Sequence, residues 1–202
     1  MGIYLSGSDV KNAADVIVKT PLTLLGRNAA LIFNFGVGLF FVVALLCAGT
    51  EEGLNIGIFL PMFLESLLYA LLMGPLIDFI QSEVVPVALA INGGRVIDLI
   101  LAIGAGLYEE IVYRLILLSV IYAIFHRVLK FKQWFAATLS IVLASLVFAA
   151  LHYIGSLSDT FSGETFLFRF LAGIFLSSIF ILRGLGIAVY THALYDILLV
   201  IA

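Results

Sequence analysis

The sequence predicts an all-α fold: a polytopic transmembrane bundle of about six to eight helices, with a short interfacial helix near the N-terminus. Three observations carry this. The 202 residues are 63% hydrophobic and 11% charged. Their mean hydropathy is +1.23, too apolar along the whole length for a water-soluble domain. And the apolar runs recur at close to the roughly 20 residues that cross a bilayer, separated by breaks rich in Gly, Asn and charge.

Each element follows from its residues. In residues 1–28, Val10, Ala13, Ala14 and Ile17 fall at helical spacing with Lys11, Asn12, Asp15 and Lys19 between them. That pattern predicts an amphipathic segment at the membrane surface, capped near Ser8 and stopped by Pro21. Residues 29–202 read as one transmembrane domain. Its spans are expected at 29–48, 56–80, 96–125, 135–154, 166–182 and 187–201. Residues 81–95 are ambiguous, with an apolar piece too short to cross alone and a break at Asn92-Gly93-Gly94. Simple counting gives six spans, but the positive-inside rule favours one more crossing or a re-entrant piece at 83–103, which puts Arg127, Lys130, Lys132 and Arg183 inside. Gly104 and Gly106 permit bending or a close helix approach.

Composition also excludes. A net charge of −3 without dense basic clusters argues against nucleic acid as a partner. The single cysteine, Cys47, rules out an intramolecular disulfide and a cysteine-based zinc site, and it reads as packing. The first twenty residues lack the apolar core and cleavage site of a signal peptide.

The chemistry concentrates in 96–202. The span at 96–125 carries Glu109, Glu110 and Arg114, each charge costing roughly 2.5–3.5 kcal/mol at a helix centre. Glu110 and Arg114 are i and i+4, so they share a face and can pair. Glu109 is turned about 100° away and stays available. Two later spans carry Phe148 with His152, and His192 with Asp196, again at i and i+4. Three such faces turned inward would surround a pocket with Glu109, His152, His192 and Asp196. A carboxylate and imidazoles around water suit hydrolysis: one takes a proton from the attacking water, others stabilise the oxyanion.

Each residue also has a plainer reading. A buried Glu–Arg pair can simply lock two helices. A lone histidine near a span end is more often interfacial or hydrogen-bonded than catalytic. Phe148 alone is core. His126 is expected at the headgroups, and Glu65, Asp98 and Arg169 as interhelical pairing residues. The same four polar residues could ligate zinc or iron in a metallohydrolase. They could also serve a membrane scaffold, immunity protein or transporter. No His-Glu-x-x-His, Gly-x-Ser-x-Gly, Gly-x-Gly-Asp or phosphate-binding loop is present.

In this order on separate helices, Glu109-Glu110-x-x-x-Arg114, Phe148-x-x-x-His152 and His192-x-x-x-Asp196 resemble the CAAX-protease and bacteriocin-processing (CPBP, Abi) family. That is the family of the Ras-converting prenyl endopeptidase, viewed as metal-independent intramembrane glutamate proteases. The resemblance covers residues 96–202. It implies Glu109 as general base, His152 as its assistant, His192 and Asp196 at the oxyanion, Glu110 and Arg114 as a supporting pair, and Phe148 as packing. It implies no cofactor, and as partners membrane lipid and a peptide or membrane-anchored protein substrate. Two positions depart. Leu115 stands where many members have a small residue. Asp196 stands where the prenyl proteases have asparagine, as in many prokaryotic relatives, so a prokaryotic cell membrane is the expected location. An ionised aspartate cannot donate to an oxyanion; it could do so protonated, or could orient His192 instead.

Overall fold

The computed structural model describes residues 56–81, 103–104, 106–153 and 161–201. The surface segment expected at 1–28, the span at 29–48 and the extra crossing at 83–103 lie outside or largely outside these residues. A short 3₁₀ turn, Ile56–Ile58, leads into α1 (Phe59–Gln81). Then follow α2 (Gly106–Val128), α3 (Gln133–Leu151), α4 (Gly163–Arg183) and α5 (Leu185–Ile201). The described residues hold these five helices and no strand. The first four are long and apolar enough to cross a membrane, and α5 is shorter, at 17 residues.

Burial is inverted relative to a water-soluble bundle. Leu60, Leu64, Leu68, Leu71 and Phe79 of α1 are exposed, whereas Ser66, Ser140, Ser145, Ser177 and Thr191 are buried. Lipid tails are as apolar as leucine, so the outer face loses nothing by exposing it. The helices instead pack through small residues that let backbones approach. On α1 the buried stripe Ser66, Ala70, Met73 and Ile77 faces α4 and α5. Ser66 donates to the carbonyl of Ile187 at 3.4 Å. Between α3 and α4, a Cβ on Gly173 would lie 2.9 Å from that of Ser145, so only glycine permits this crossing.

The helices run antiparallel in sequence. Phe125 and Phe131 stack at 5.7 Å across the α2–α3 turn. The Phe131 N–H bonds the Phe125 carbonyl there, with Lys130 at φ 58°. His126, expected at the headgroups, stacks on Tyr122 and bonds the Phe131 carbonyl at 3.0 Å. At the other end, the Tyr153 hydroxyl bonds that of Thr165 at 2.7 Å, joining the end of α3 to the start of α4. Gln81 donates to the Glu164 carbonyl at 3.0 Å, and Arg183 pairs with Glu65 at 2.6 Å. These two contacts fix α1 against α4 at opposite ends. Glu65 and Arg183 thus form an interhelical pair of the kind expected for Glu65.

Candidate active site

Glu109 and Glu110 sit in the first turns of α2, and both are buried. From Glu110 to Leu118 the helix is wound as a π-helix. Such wider winding is rare and concentrates at functional sites. Across it the Glu110–Arg114 pair closes at 2.8 Å.

What brings α2 to α5 is a missing side chain. A Cβ on Gly106 would stand 2.6 Å from the backbone nitrogen of Ala193, whereas one on Gly104 would meet nothing within 4 Å. Of the two glycines noted in the sequence, Gly106 makes the close approach. The crossing lies one helical turn before Glu109 and one residue after His192. The two side chains therefore meet.

His192 is the centre of the charged cluster. Its Nδ1 lies 2.8 Å from Glu110 Oε1, the same oxygen that receives Arg114. A carboxylate paired with a guanidinium is an acceptor, so the Nδ1 hydrogen donates to Glu110. The opposite ring nitrogen, Nε2, then faces Glu109 Oε2 at 3.9 Å and Asp196 Oδ2 at 3.6 Å. Both distances exceed a direct hydrogen bond. Orientation of His192 on its Nδ1 side is thus supplied by Glu110, while Asp196 faces the other ring nitrogen.

His152 joins from α3 through Phe148. Its Nδ1 donates to the Phe148 carbonyl at 2.8 Å, which makes Nε2 the basic nitrogen of the neutral ring. Its ring meets that of Phe148 edge to face at 4.8 Å, and the His192 ring lies 6.5 Å from Phe148 on another side. Tyr113 packs edge-on at 5.0 Å, and the Arg114 guanidinium lies 4.6 Å over the same ring. Phe148 is therefore a wall shared by both histidines and by Arg114. A desolvated cation–π contact of this kind is worth about 2 kcal/mol.

All seven singled-out residues, Glu109, Glu110, Arg114, Phe148, His152, His192 and Asp196, fall in this region: Glu109, Glu110, Arg114, His192 and Asp196 through charged contacts, His152 through Phe148. Sequence reasoning did not single out Tyr113 or the Glu110–His192 bond. It gave Arg169 on α4 no part in the chemistry. Arg169 lies 5.2 Å over the ring of Tyr153, the neighbour of His152. Among the described residues no group of three or more His, Cys, Asp or Glu side chains is arranged to hold a metal ion.

The family model for type II CAAX prenyl endopeptidase Rce1-like proteins matches residues 93–198, more than half of the chain, and this stretch contains every residue of the cluster. No curated protein and no solved structure matches. The chain belongs to the Rce1-like family of CAAX-type membrane endopeptidases.

Proposed function

We propose that this membrane protein is an endopeptidase in which Glu109 activates water to cleave a peptide bond of a membrane-associated peptide or protein, without a metal ion. The observation that supports this best is the division of labour between adjacent carboxylates. Glu110 is neutralised by Arg114 and holds His192, while the nearest charged contact of Glu109 is 3.9 Å away. One glutamate is structural and its neighbour is uncommitted, as a base must be.

In this reading Glu109 takes a proton from water as the water oxygen bonds the carbonyl carbon. His152, through Nε2, assists that transfer. His192 as an imidazolium keeps one hydrogen on Glu110 and directs the other at the developing oxyanion. Asp196, protonated, adds a second donor. When the C–N bond breaks, Glu109 returns its proton to the departing amine.

The test is cleavage of a peptide or co-expressed membrane substrate by wild type, His152→Ala and wild type dialysed against a chelator. The reading expects a large loss in the variant and an unchanged rate after chelation. Full activity in His152→Ala removes its assigned role. Activity lost to chelator together with stoichiometric bound metal establishes a metallohydrolase instead.

A further inference from the structure

The turn between α2 and α3 is a surface that the buried cluster does not use. Arg127, Lys130 and Lys132 fall within six residues of sequence there, and all are exposed. From Glu110 to Asp159 the chain has no intervening Asp or Glu. None of the three cations makes an ion pair among the described residues. Arg183 closes α4 at the same end of the bundle, but both oxygens of Glu65 hold its guanidinium. That pair adds no free charge. Lys11, Lys19, Arg27, Glu51 and Glu52 lie outside the described residues.

A basic loop alone records only how a chain was inserted. Two features of this turn go further. The first is its fixed shape. Lys130 takes the left-handed conformation at φ 58°, which is costly for a residue other than glycine. Its neighbours hold it there. The Phe131 N–H bonds the Phe125 carbonyl at 2.9 Å and the two rings stack. Phe131 meets Phe135 at 5.3 Å, and His126 bonds the Phe131 carbonyl. The cations are therefore carried on an ordered backbone, so a ligand does not have to order it. The second feature is what surrounds them. Val128 is 70% and Trp134 68% exposed, and Leu129 and Phe135 are exposed beside them. A soluble acidic partner would use the charges and leave these side chains unmatched. An amphiphile uses both: its phosphate meets the cations, and an indole suits the boundary between headgroups and acyl chains.

We propose that the α2–α3 turn binds the headgroup of an anionic phospholipid. The phosphate is held by Arg127, Lys130 and Lys132, and the acyl chains lie along Val128 and Trp134. A lipid held here clamps the α2–α3 hairpin at headgroup level. The site stands apart from the hydrolytic reading above and does not depend on it. Each Lys or Arg near an anionic surface strengthens binding about fivefold, so three together give roughly a hundredfold.

Trp134 is the chain's single tryptophan, so its fluorescence reports on this turn. The full-length protein in neutral detergent is titrated with phosphatidylglycerol or phosphatidylcholine whose brominated acyl chains quench an indole on contact. Quenching by phosphatidylglycerol is expected to saturate at about a tenfold lower concentration, or less, and to lose this advantage at high salt. Arg127→Gln combined with Lys130→Gln and Lys132→Gln is expected to bind both lipids alike. Lys11→Gln combined with Lys19→Gln and Arg27→Gln changes net charge equally and is expected to keep the preference. Equal quenching of the wild type by both lipids overturns the site, as does an equal loss in the two triple variants. Displacement by glycerol phosphate as readily as by unbrominated phosphatidylglycerol assigns the turn to a soluble phosphate and also overturns it. Thermal unfolding checks the variants, and the wild-type comparison decides the matter even if one fails to fold.

Discussion

Among the described residues, two glutamate–arginine pairs do opposite things. Glu65 and Arg183 meet at the rim of the bundle, with side chains 24% and 53% exposed, through a two-pronged contact at 2.6 and 2.8 Å. Glu110 and Arg114 are 0% and 1% exposed, and Glu110 also holds His192. The rim pair is a clasp between α1 and α4 whose ions remain near headgroups and water. The interior pair sits where charge is expensive unless it is fully partnered. A second carboxylate beside it, Glu109, adds to that cost without adding a partner. Ion pairing alone explains the first pair and leaves Glu109 unexplained in the second.

The largest expected effect comes from breaking the interior pair. Glu110→Gln leaves Arg114 as a buried charge without its counter-ion and removes the carboxylate that orients His192. A loss of about 3–5 kcal/mol of stability is expected, read as a lowered thermal midpoint in detergent, with activity falling alongside. Next is Gly106→Val, whose added Cβ would collide with the backbone of Ala193. It should abolish cleavage by parting Glu109 from His192, whereas Gly104→Ala, which meets nothing, should cleave at the wild-type rate.

Asp196→Asn sharpens the comparison further. An asparagine donates to an oxyanion without needing a proton, and Nδ1 of His192 is already held by Glu110. Asp196→Asn is therefore expected to retain or raise activity while Asp196→Ala lowers it; equal losses in both would assign Asp196 a different role. Smallest of all, Glu65→Gln should leave the cleavage rate unchanged, its effect confined to the α1–α4 contact and visible only as a slight drop in thermal midpoint.

How much of this was legible in the sequence depends on range. Helical periodicity and apolar length located α1 to α5, because lipid imposes both. The i, i+4 spacing announced that Glu110 and Arg114 could touch. The Glu110–His192 bond joins residues 82 apart, and no local pattern encodes it. Nor could the sequence say which glycine approaches another helix: Gly104 and Gly106 look alike until Ala193 lies against one of them. The π winding of Glu110–Leu118 has no signature in its apolar residues.

The central claim is that Glu109, and not its paired neighbour, supplies the base. Its most direct test is the single-turnover cleavage rate of purified Glu109→Gln, checked by thermal unfolding to be as folded as wild type. General-base loss predicts a fall of roughly 10²–10⁴-fold with the thermal midpoint held or raised, since a buried charge has been removed. A folded Glu109→Gln protein that cleaves at the wild-type rate would contradict it.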